Sequence, residues 1–285
     1  PVQDAGRGYA SGGTDYQTAG GGVYTMRSVI LIGSTISGNT VTATEAGENA
    51  NGGGAFTLGG YQVAGATFEN NVADGAGGGL FSGSSRTPYE ELVRATYTDA
   101  NITNSTFSGN RAFAGGAMAT QSTAAAIANS TIAGNYATQG GGLTILWSGT
   151  GVYDPAVHLD STIVAGNAAG DAAAHTADLA AASNLEVTVI GSNNLVDSAD
   201  PNVTLPPDTI DSDPLLLPLA DNGGPTWTMA LATGSPAINA GNNSANLPYD
   251  ERGTGFPRVV GIAADIGAYE VQSFPDVIFV SGFDD

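Results

Sequence analysis

The chain contains no cysteine and no lysine, and only two histidines, among its 285 residues. Without cysteine it has no disulfide framework, no thiolate nucleophile and no Cys-ligated metal site. Without lysine it has no P-loop phosphate site, no Schiff base and no Ser–Lys dyad. His158 comes just before a repeat strand and no Gly-x-Ser-x-Gly elbow accompanies it, so we expect a surface or loop histidine.

Basic charge is scarce and long apolar runs are missing. Seven arginines oppose 27 acidic residues, which gives a formal net charge of −20. Such acidity repels phosphate backbones and anionic lipid headgroups, so nucleic acid is not an expected partner. No apolar run approaches the roughly 18 residues that a membrane helix needs. The sequence therefore predicts no transmembrane segment.

Glycine is abundant, with 42 residues, and it follows a repeat. The pattern Ser-Thr-apolar-x-Gly-Asn occurs at 34–39, 105–110 and 130–135, as the variant Ala-Thr-Phe-Glu-Asn-Asn at 66–71 and, with one extra residue, at 161–167. A glycine triplet or pair before apolar residues occurs at 20–24, 52–56, 77–81, 115–118 and 140–143. The shortest interval, from Asn110 to Asn135, is 25 residues and indicates the bare length of a rung. A regular rung with variable insertions is typical of a solenoid, because each rung contacts only its neighbours.

The apolar positions of the repeat predict strands and a corner. One interior column is expected to contain the third residue of each copy: Ile36, Phe68, Phe107, Ile132 and Ile163. Another apolar residue, such as Leu31, lies five positions earlier. Even offsets share a face of a strand, so an offset of five requires a bend at positions such as Gly33. We expect two short strands there and a third at the glycine motif.

The asparagine that ends each copy has two interpretations. Stacked rungs would bring these residues into a column, in which each side chain can hydrogen-bond to its neighbours above and below. Alternatively, each is a turn residue that tolerates the left-handed conformation. Neither interpretation makes them catalytic. The candidate ladder consists of Asn39, Asn71, Asn110, Asn135 and Asn167.

The repeat over about residues 17–200 resembles the secreted bacterial right-handed parallel β-helix proteins of the pectate-lyase-like superfold. The resemblance implies an all-β, right-handed parallel β-helix with rungs of about 25 residues and loop insertions. Because this superfold carries many unrelated functions, the resemblance implies architecture and no particular activity.

The C-terminal part carries further motifs, which are Asp-Pro-Leu-Leu at 213–216, Asp-Asn-Gly-Gly-Pro at 221–225, Gly-Ser-Pro-Ala at 234–237 and Asp-Ile-Gly-Ala-Tyr-Glu at 265–270. It resembles the choice-of-anchor Q domain that ends many exported bacterial β-helix proteins. That resemblance implies export to the cell surface or medium and carries over no catalytic residue. We expect repeats at 1–204, a region capping the solenoid at 205–270 and a tail at 271–285. A cap is expected because a solenoid end exposes unpaired strands.

Two insertions are candidate ligand-binding loops. The first carries Arg86, Tyr89, Glu90, Glu91 and Arg94; its alternative is a short solvated helix with a surface ion pair between Glu90 and Arg94. The second loop carries Trp147 and Tyr153, whose rings either stack on sugars or pack over the solenoid.

Acidic residues give little evidence for a metal site or a glycosidase. Asp208, Asp211 and Asp213 could supply oxygen ligands to Ca²⁺, and the alternative is a polar linker. The acids of the rungs, such as Asp74 and Asp160, lie at different phases of the repeat. They therefore do not predict the carboxylate pair that glycoside hydrolysis requires. No cofactor other than Ca²⁺ is suggested.

The sequence favours a non-catalytic extracellular or cell-surface protein with a structural or adhesive role. An uncapped N-terminal end would also allow self-association, with head-to-tail stacking into filaments. One alternative is a polysaccharide lyase, hydrolase or epimerase that uses Arg86, Arg94 or Arg111 as base or substrate clamp. Another is a calcium-dependent carbohydrate-binding module.

Overall fold

The computed structural model describes residues 7–8, 17–43, 50–83, 100–121, 125–146, 157–170, 178–182 and 185–272, with the backbone alone at 7, 8, 17 and 18. These residues form 27 strands and no helix. No helix in this part of the chain is long and apolar enough to cross a membrane. The protein is thus all-β.

Most strands belong to four parallel sheets, here called sheets I to IV in the order in which a rung visits them. Sheet I contains β4 (Val29–Ile32), β9 (Tyr61–Ala64), β13 (Ala100–Thr103), β17 (Ala125–Ala128), β21 (Val157–Asp160), β25 (Val187–Ser192) and β27 (Val203–Thr204). Sheet II contains β5 (Thr35–Ser37), β10 (Thr67–Glu69), β14 (Thr106–Ser108), β18 (Thr131–Ala133), β22 (Ile163–Ala165) and β26 (Leu195–Val196).

Sheet III contains β6 (Thr40–Val41), β11 (Val72–Ala73), β15 (Arg111–Ala114), β19 (Tyr136–Gln139) and β23 (Ala168–Ala169). Sheet IV contains β3 (Val23–Thr25), β8 (Ala55–Thr57), β12 (Leu80–Ser82), β16 (Met118–Gln121), β20 (Leu143–Leu146) and β24 (Leu179–Ala181). A small additional sheet joins β1 (Arg7–Gly8), β2 (Gln17–Ala19) and β7 (Ala50–Asn51). Since each strand pairs with its equivalent one rung away, the molecule is built as a β-solenoid.

The interior column of sheet II follows the repeat except at its fifth position. Phe68 pairs with Ile36 and with Phe107, and Phe107 pairs with Ile132. The next partner of Ile132 is Val164, so the prediction that Ile163 occupies this column was wrong. The extra residue of the fifth copy lies before the strand and shifts Ile163 to the outer face. There Ile163 packs against the C-terminal region, in a cluster with Leu231 and Ile266.

A corner separates sheet I from sheet II, as the offset of five residues predicts. Leu31, Val63, Ile102 and Ile127 form the interior column of sheet I. The residues at the corner have positive φ, for example 54° at Gly33 and 45° at Asn104. Glycine and asparagine tolerate this conformation better than other residues, which explains why they occupy the corner. Sheet III was not anticipated as a separate sheet.

The asparagines stack in one column between sheets II and III. The Nδ2 of each donates to the Oδ1 of the next at 2.9 Å, from Asn39 through Asn71, Asn110 and Asn135 to Asn167. Asn167 Nδ2 then donates to Asp178 Oδ1 at 2.8 Å. Every amide oxygen in the buried part of the column therefore has a donor, which removes the cost of burying it.

The C-terminal region contacts both the last rung and the side of the solenoid. Ile210 forms a bridge with Leu195 at the last rung. Further on, corner side chains donate to backbone carbonyls of this region: Asn193 to Ala240, Ser161 and Asn129 to Asn242, and Asn104 to Tyr249. The region thus runs back along the corner between sheets I and II. This path covers much more of the solenoid than a cap over its last rung would.

Candidate functional site

The two candidate loops lie outside the described residues. Both insertions fall in the gaps 84–99 and 147–156. The residues concerned are Arg86, Tyr89, Glu90, Glu91, Arg94, Trp147 and Tyr153. Their ligand contacts stay predictions.

The structure does not bring the three candidate calcium ligands together as a cluster. Asp208 Oδ2 accepts a hydrogen bond from Asn193 N at 2.8 Å, and Asp213 Oδ1 accepts one from Leu215 N at 2.8 Å. Asp213 thereby starts a turn, as the linker interpretation expected. Within the described ranges, no group of three or more His, Cys, Asp or Glu side chains is arranged to hold a metal ion.

Arg111, the third arginine considered as a base or clamp, lies on the exposed outer face of sheet III. Its guanidinium carbon is 4.2 Å from the centroid of the Tyr136 ring on the next rung. This cation–π contact stabilises the sheet surface modestly.

A groove on the outer face of sheet I is the best candidate site in the described structure. It crosses β13, β17 and β21 and has a volume of about 220 Å³. The register places Asn101 and His158 on either side of Ala126, and Thr103 and Asp160 on either side of Ala128. Ser244 and Ala245 of the C-terminal region form one wall.

The depth of the groove follows from side-chain size along the sheet. Outward positions of a strand recur every second residue, so each strand contributes two side chains to the groove. On β17 both are alanines, while the flanking strands carry longer polar side chains. The result is an apolar floor with hydrogen-bonding groups on two sides.

His158 and Asp160 form the most polar part of the groove. His158 Nε2 lies 2.9 Å from Asp160 Oδ2, and the histidine side chain is 45% exposed. Asp160 Oδ1 accepts from Ser192 N at 3.0 Å and from its hydroxyl at 3.3 Å. Because the serine hydroxyl contacts the carboxylate and not the imidazole, these residues do not form a nucleophile–base pair. They can instead donate and accept hydrogen bonds with a polar ligand.

A second set of charged side chains is buried within the C-terminal region. Arg252 Nη2 pairs with Asp250 Oδ2 at 2.6 Å, and Arg258 Nη2 pairs with Glu270 Oε2 at 3.2 Å. Arg252 also lies between two aromatic rings. Burial raises the pKa of Glu270 to about 7, although backbone N–H groups of Asp265 and Val260 donate to its carboxylate. Since these charged groups pair with one another inside the region, we interpret them as structural.

The sequence contains a signal for the groove that lies outside the repeat motifs. His158-Leu159-Asp160 alternates polar, apolar, polar, which places both polar residues on one face of β21. Asn101-Ile102-Thr103 on β13 has the same pattern. The wall formed by Ser244 and Ala245 had no such signal, because the lateral path of the C-terminal region was not predicted.

The sequence matches no protein-family model, and comparison with curated proteins and with solved structures finds no match. The assignment of function therefore rests on the geometry of the molecule and on the resemblances described above.

Proposed function

We propose that the protein is a non-catalytic, extracellular or cell-surface β-solenoid with a structural and adhesive role. The observation that carries the proposal is the groove across β13, β17 and β21, since it offers an apolar floor and polar sides over three consecutive rungs. A polymer with polar substituents and apolar faces, such as a polysaccharide, matches this combination. The proposal takes the solenoid as a right-handed β-helix of the pectate-lyase-like superfold.

The frame beneath the groove supports an adhesive role because hydrogen bonds between rungs and a packed core hold it in place. The strands that form the groove are tied to neighbouring rungs by the parallel pairing of sheet I. Buried Phe68 and Phe107 stack with ring centroids 4.5 Å apart, close to the corner that follows the groove. A preformed site loses less conformational entropy when a ligand binds.

Export and attachment are the part of the proposal that rests on the C-terminal motifs. The resemblance to the choice-of-anchor Q domain favours a cell-surface or secreted location. In the structure, the turn-rich region that carries these motifs is fixed laterally to the solenoid. An attachment through this region would hold the solenoid by its side.

Self-association belongs to the same proposal. In the described residues, β3, β4, β5 and β6 of the first rung each pair with the second rung alone. Such free edges can pair with another chain. Multi-angle light scattering and electron microscopy over a wide concentration range test this: we expect dimers or filaments, and a strictly monomeric protein would contradict it.

The groove is tested by filling it. Ala126→Trp places a large ring on the floor, and Ala168→Trp is the matched control on the exposed face of sheet III. The probes are soluble xylan, chitin oligosaccharides and polygalacturonate. For the probe that binds the native protein, we expect Ala126→Trp to weaken affinity at least about tenfold, or about 1.4 kcal/mol. Equal affinity of Ala126→Trp and Ala168→Trp for the probe would exclude the groove as its binding site.

A polysaccharide-active enzyme is the second candidate, and the hydrogen-bonded pair His158–Asp160 favours it. An oriented imidazole is a common general base. Incubation with uronic-acid and neutral polymers, followed by detection of new reducing ends and unsaturated products, separates the two functions. We expect no product; product formation that is lost in His158→Gln would establish the enzyme instead.

A further inference from the structure

One fully buried carboxyl group joins the C-terminal region to the solenoid. Glu251 Oε1 lies 3.1 Å from the hydroxyl of Thr67 and 3.2 Å from that of Thr226, and Oε2 contacts the hydroxyl of Thr106. Thr67 and Thr106 belong to neighbouring strands of sheet II, while Thr226 belongs to the C-terminal region. Together with Trp227, these four residues are called the carboxyl joint.

Counting protons in the joint shows that an ionised Glu251 would leave one contact without a hydrogen. A threonine hydroxyl has a single proton to donate. The Thr67 hydroxyl lies 2.7 Å from the carbonyl oxygen of Trp227, which is closer than its 3.1 Å to Glu251. When that proton goes to Trp227, the Thr67–Glu251 contact is a hydrogen bond only if the carboxyl group supplies the proton.

The remaining contacts are compatible with a neutral carboxyl group. The Thr106 hydroxyl donates to Oε2, and the Thr226 hydroxyl donates to Oε1 or, at 3.4 Å, to the carbonyl of Gly65. With one proton on Oε1, the Thr67 hydroxyl accepts from Glu251 and donates to Trp227, while the Thr106 and Thr226 hydroxyls each donate. With none, two oxygen atoms face each other at 3.1 Å without a hydrogen between them.

The charges around the joint do not compensate an anion. Arg252 follows Glu251 in sequence, but its guanidinium donates to Asp250 and to the carbonyl of Glu270. Asp250 is the other sequence neighbour and repels a second negative charge. On the solenoid side, Glu69 lies on the same outer face of β10, two residues after Thr67. Burial accordingly raises the pKa of Glu251 well above its usual range.

We propose that Glu251 is a neutral carboxylic acid that fastens the C-terminal region to the solenoid at Thr67, and that its ionisation opens the carboxyl joint. The corner contacts at Asn129 and Ser161 contain no titratable group, so they persist. Opening is therefore confined to the segment that contains Thr226 and Trp227 and to the segment around Glu251. This inference is independent of the groove and of the adhesive role.

The direction of the pH effect follows from proton linkage. A carboxyl group with a raised pKa in the folded state stabilises that state fully below the ordinary glutamate pKa of 4.5. The stabilisation is lost as the pH rises through the raised value. The joint is therefore closed in mild acid and opens toward alkaline pH.

Trp227 is the probe for opening, because its carbonyl belongs to the joint and its side chain is 49% exposed. The chain has two tryptophans, so the experiment uses a Trp147→Phe background. We expect the emission of Trp227 to shift in one titration step as the pH is raised. In Glu251→Gln that step should disappear, since the amide supplies both a donor and an acceptor at any pH.

Glu69→Gln is the matched control, as it removes one carboxyl from the same sheet face outside the joint. Infrared spectra near neutral pH give a second readout. The carbonyl band of a buried carboxylic acid should be present in the native protein and in Glu69→Gln, and weaker in Glu251→Gln. A Trp227 titration that persists in Glu251→Gln would overturn the proposal, and so would unchanged infrared absorption.

Discussion

At the scale of single residues, Asn110 is buried in the asparagine column with hydrogen-bond partners for both ends of its amide. Its Nδ2 donates to Phe68 O and to Asn135 Oδ1, and its Oδ1 accepts from the backbone and the side chain of Asn71. We expect Asn110→Ala to lower the free energy of unfolding by about 3 kcal/mol, because buried donors and acceptors lose their partners. Urea denaturation measures the change.

Asn39 provides the control for this prediction. It occupies the end of the column and is half-buried, and its side chain donates to Asn71 alone among the described residues. Asn39→Ala should therefore cost about 1 kcal/mol. Neither residue has a positive φ; the left-handed residues are Gly38 and Gly109, which precede them. Equal losses in the two variants would therefore mean that the additional buried hydrogen bonds of Asn110 do not contribute to stability.

What the sequence could predict at this scale depends on how strictly the repeat is kept. The stacking of asparagines follows directly from their fixed phase within each copy. Ile163 was placed in the wrong column because one extra residue in its copy could lie on either side of the strand. The role of Glu251 gave no signal, since its partners on the solenoid, Thr67 and Thr106, are more than a hundred residues away.

At the scale of elements, the turn before sheet IV requires glycine at one position. Gly115 has a φ of 64°, and a Cβ there would lie 2.2 Å from the carbonyl oxygen of Met118. Gly38 also has a φ of 64°, but nothing lies within 4 Å of its would-be Cβ. The two positions have the same φ, but only at Gly115 does another backbone atom lie close to the position of a Cβ.

Alanine at each position separates the two effects. Gly38→Ala should cost about 1 kcal/mol for the left-handed conformation alone. Gly115→Ala should cost about 3 kcal/mol, because the chain must also move away from Met118. Thermal unfolding of both variants measures the difference. Equal destabilisation would show that the turn adjusts to a Cβ without cost, and that glycine is needed at Gly115 only for its positive φ.

Elements were predictable where the repeat carries a strong apolar pattern and not where it lacks one. The corner between sheets I and II and the strand after the glycine motif both follow from the spacing of apolar residues. Sheet III was missed because its strands are short and lack a strong apolar pattern, as at β6 and β11. The groove was missed because the polar–apolar alternation on β13 and β21 predicts only a strand face, and the alanines of the floor carry no chemical signal in a sequence.

At the scale of the whole molecule, the path of the C-terminal region links distant rungs. It contacts the last rung at Leu195 and the second rung at Thr67. A solenoid otherwise transmits stability only between neighbouring rungs. The lateral contacts join several rungs into one unit, and we expect a single cooperative unfolding transition. The sequence predicted a cap over the end of the solenoid but not the lateral path, since long-range docking leaves no periodic pattern.

Buried carboxyl groups should make the whole molecule more stable in mild acid than at neutral pH. Burial raises the pKa of Glu270 from 4.5 to about 7, so the stability it confers is complete below 4.5 and is lost as the pH rises toward 7. Burial also raises the pKa values of Glu251, Asp265 and Asp178. Urea denaturation between these pH values should show a falling free energy of unfolding.

Repulsion within a chain of net charge −20 would also lower the free energy of unfolding as the pH rises. Surface repulsion and the ionisation of buried carboxyl groups must therefore be separated. About 1 M salt screens exposed charges but acts much less on buried groups. The fall should therefore persist in high salt. Glu270→Gln should be less stable but show a flatter pH profile, because its amide does not titrate, whereas exposed Glu186→Gln should follow the native profile. If salt abolished the pH dependence in the native protein, surface repulsion and not burial would control its stability.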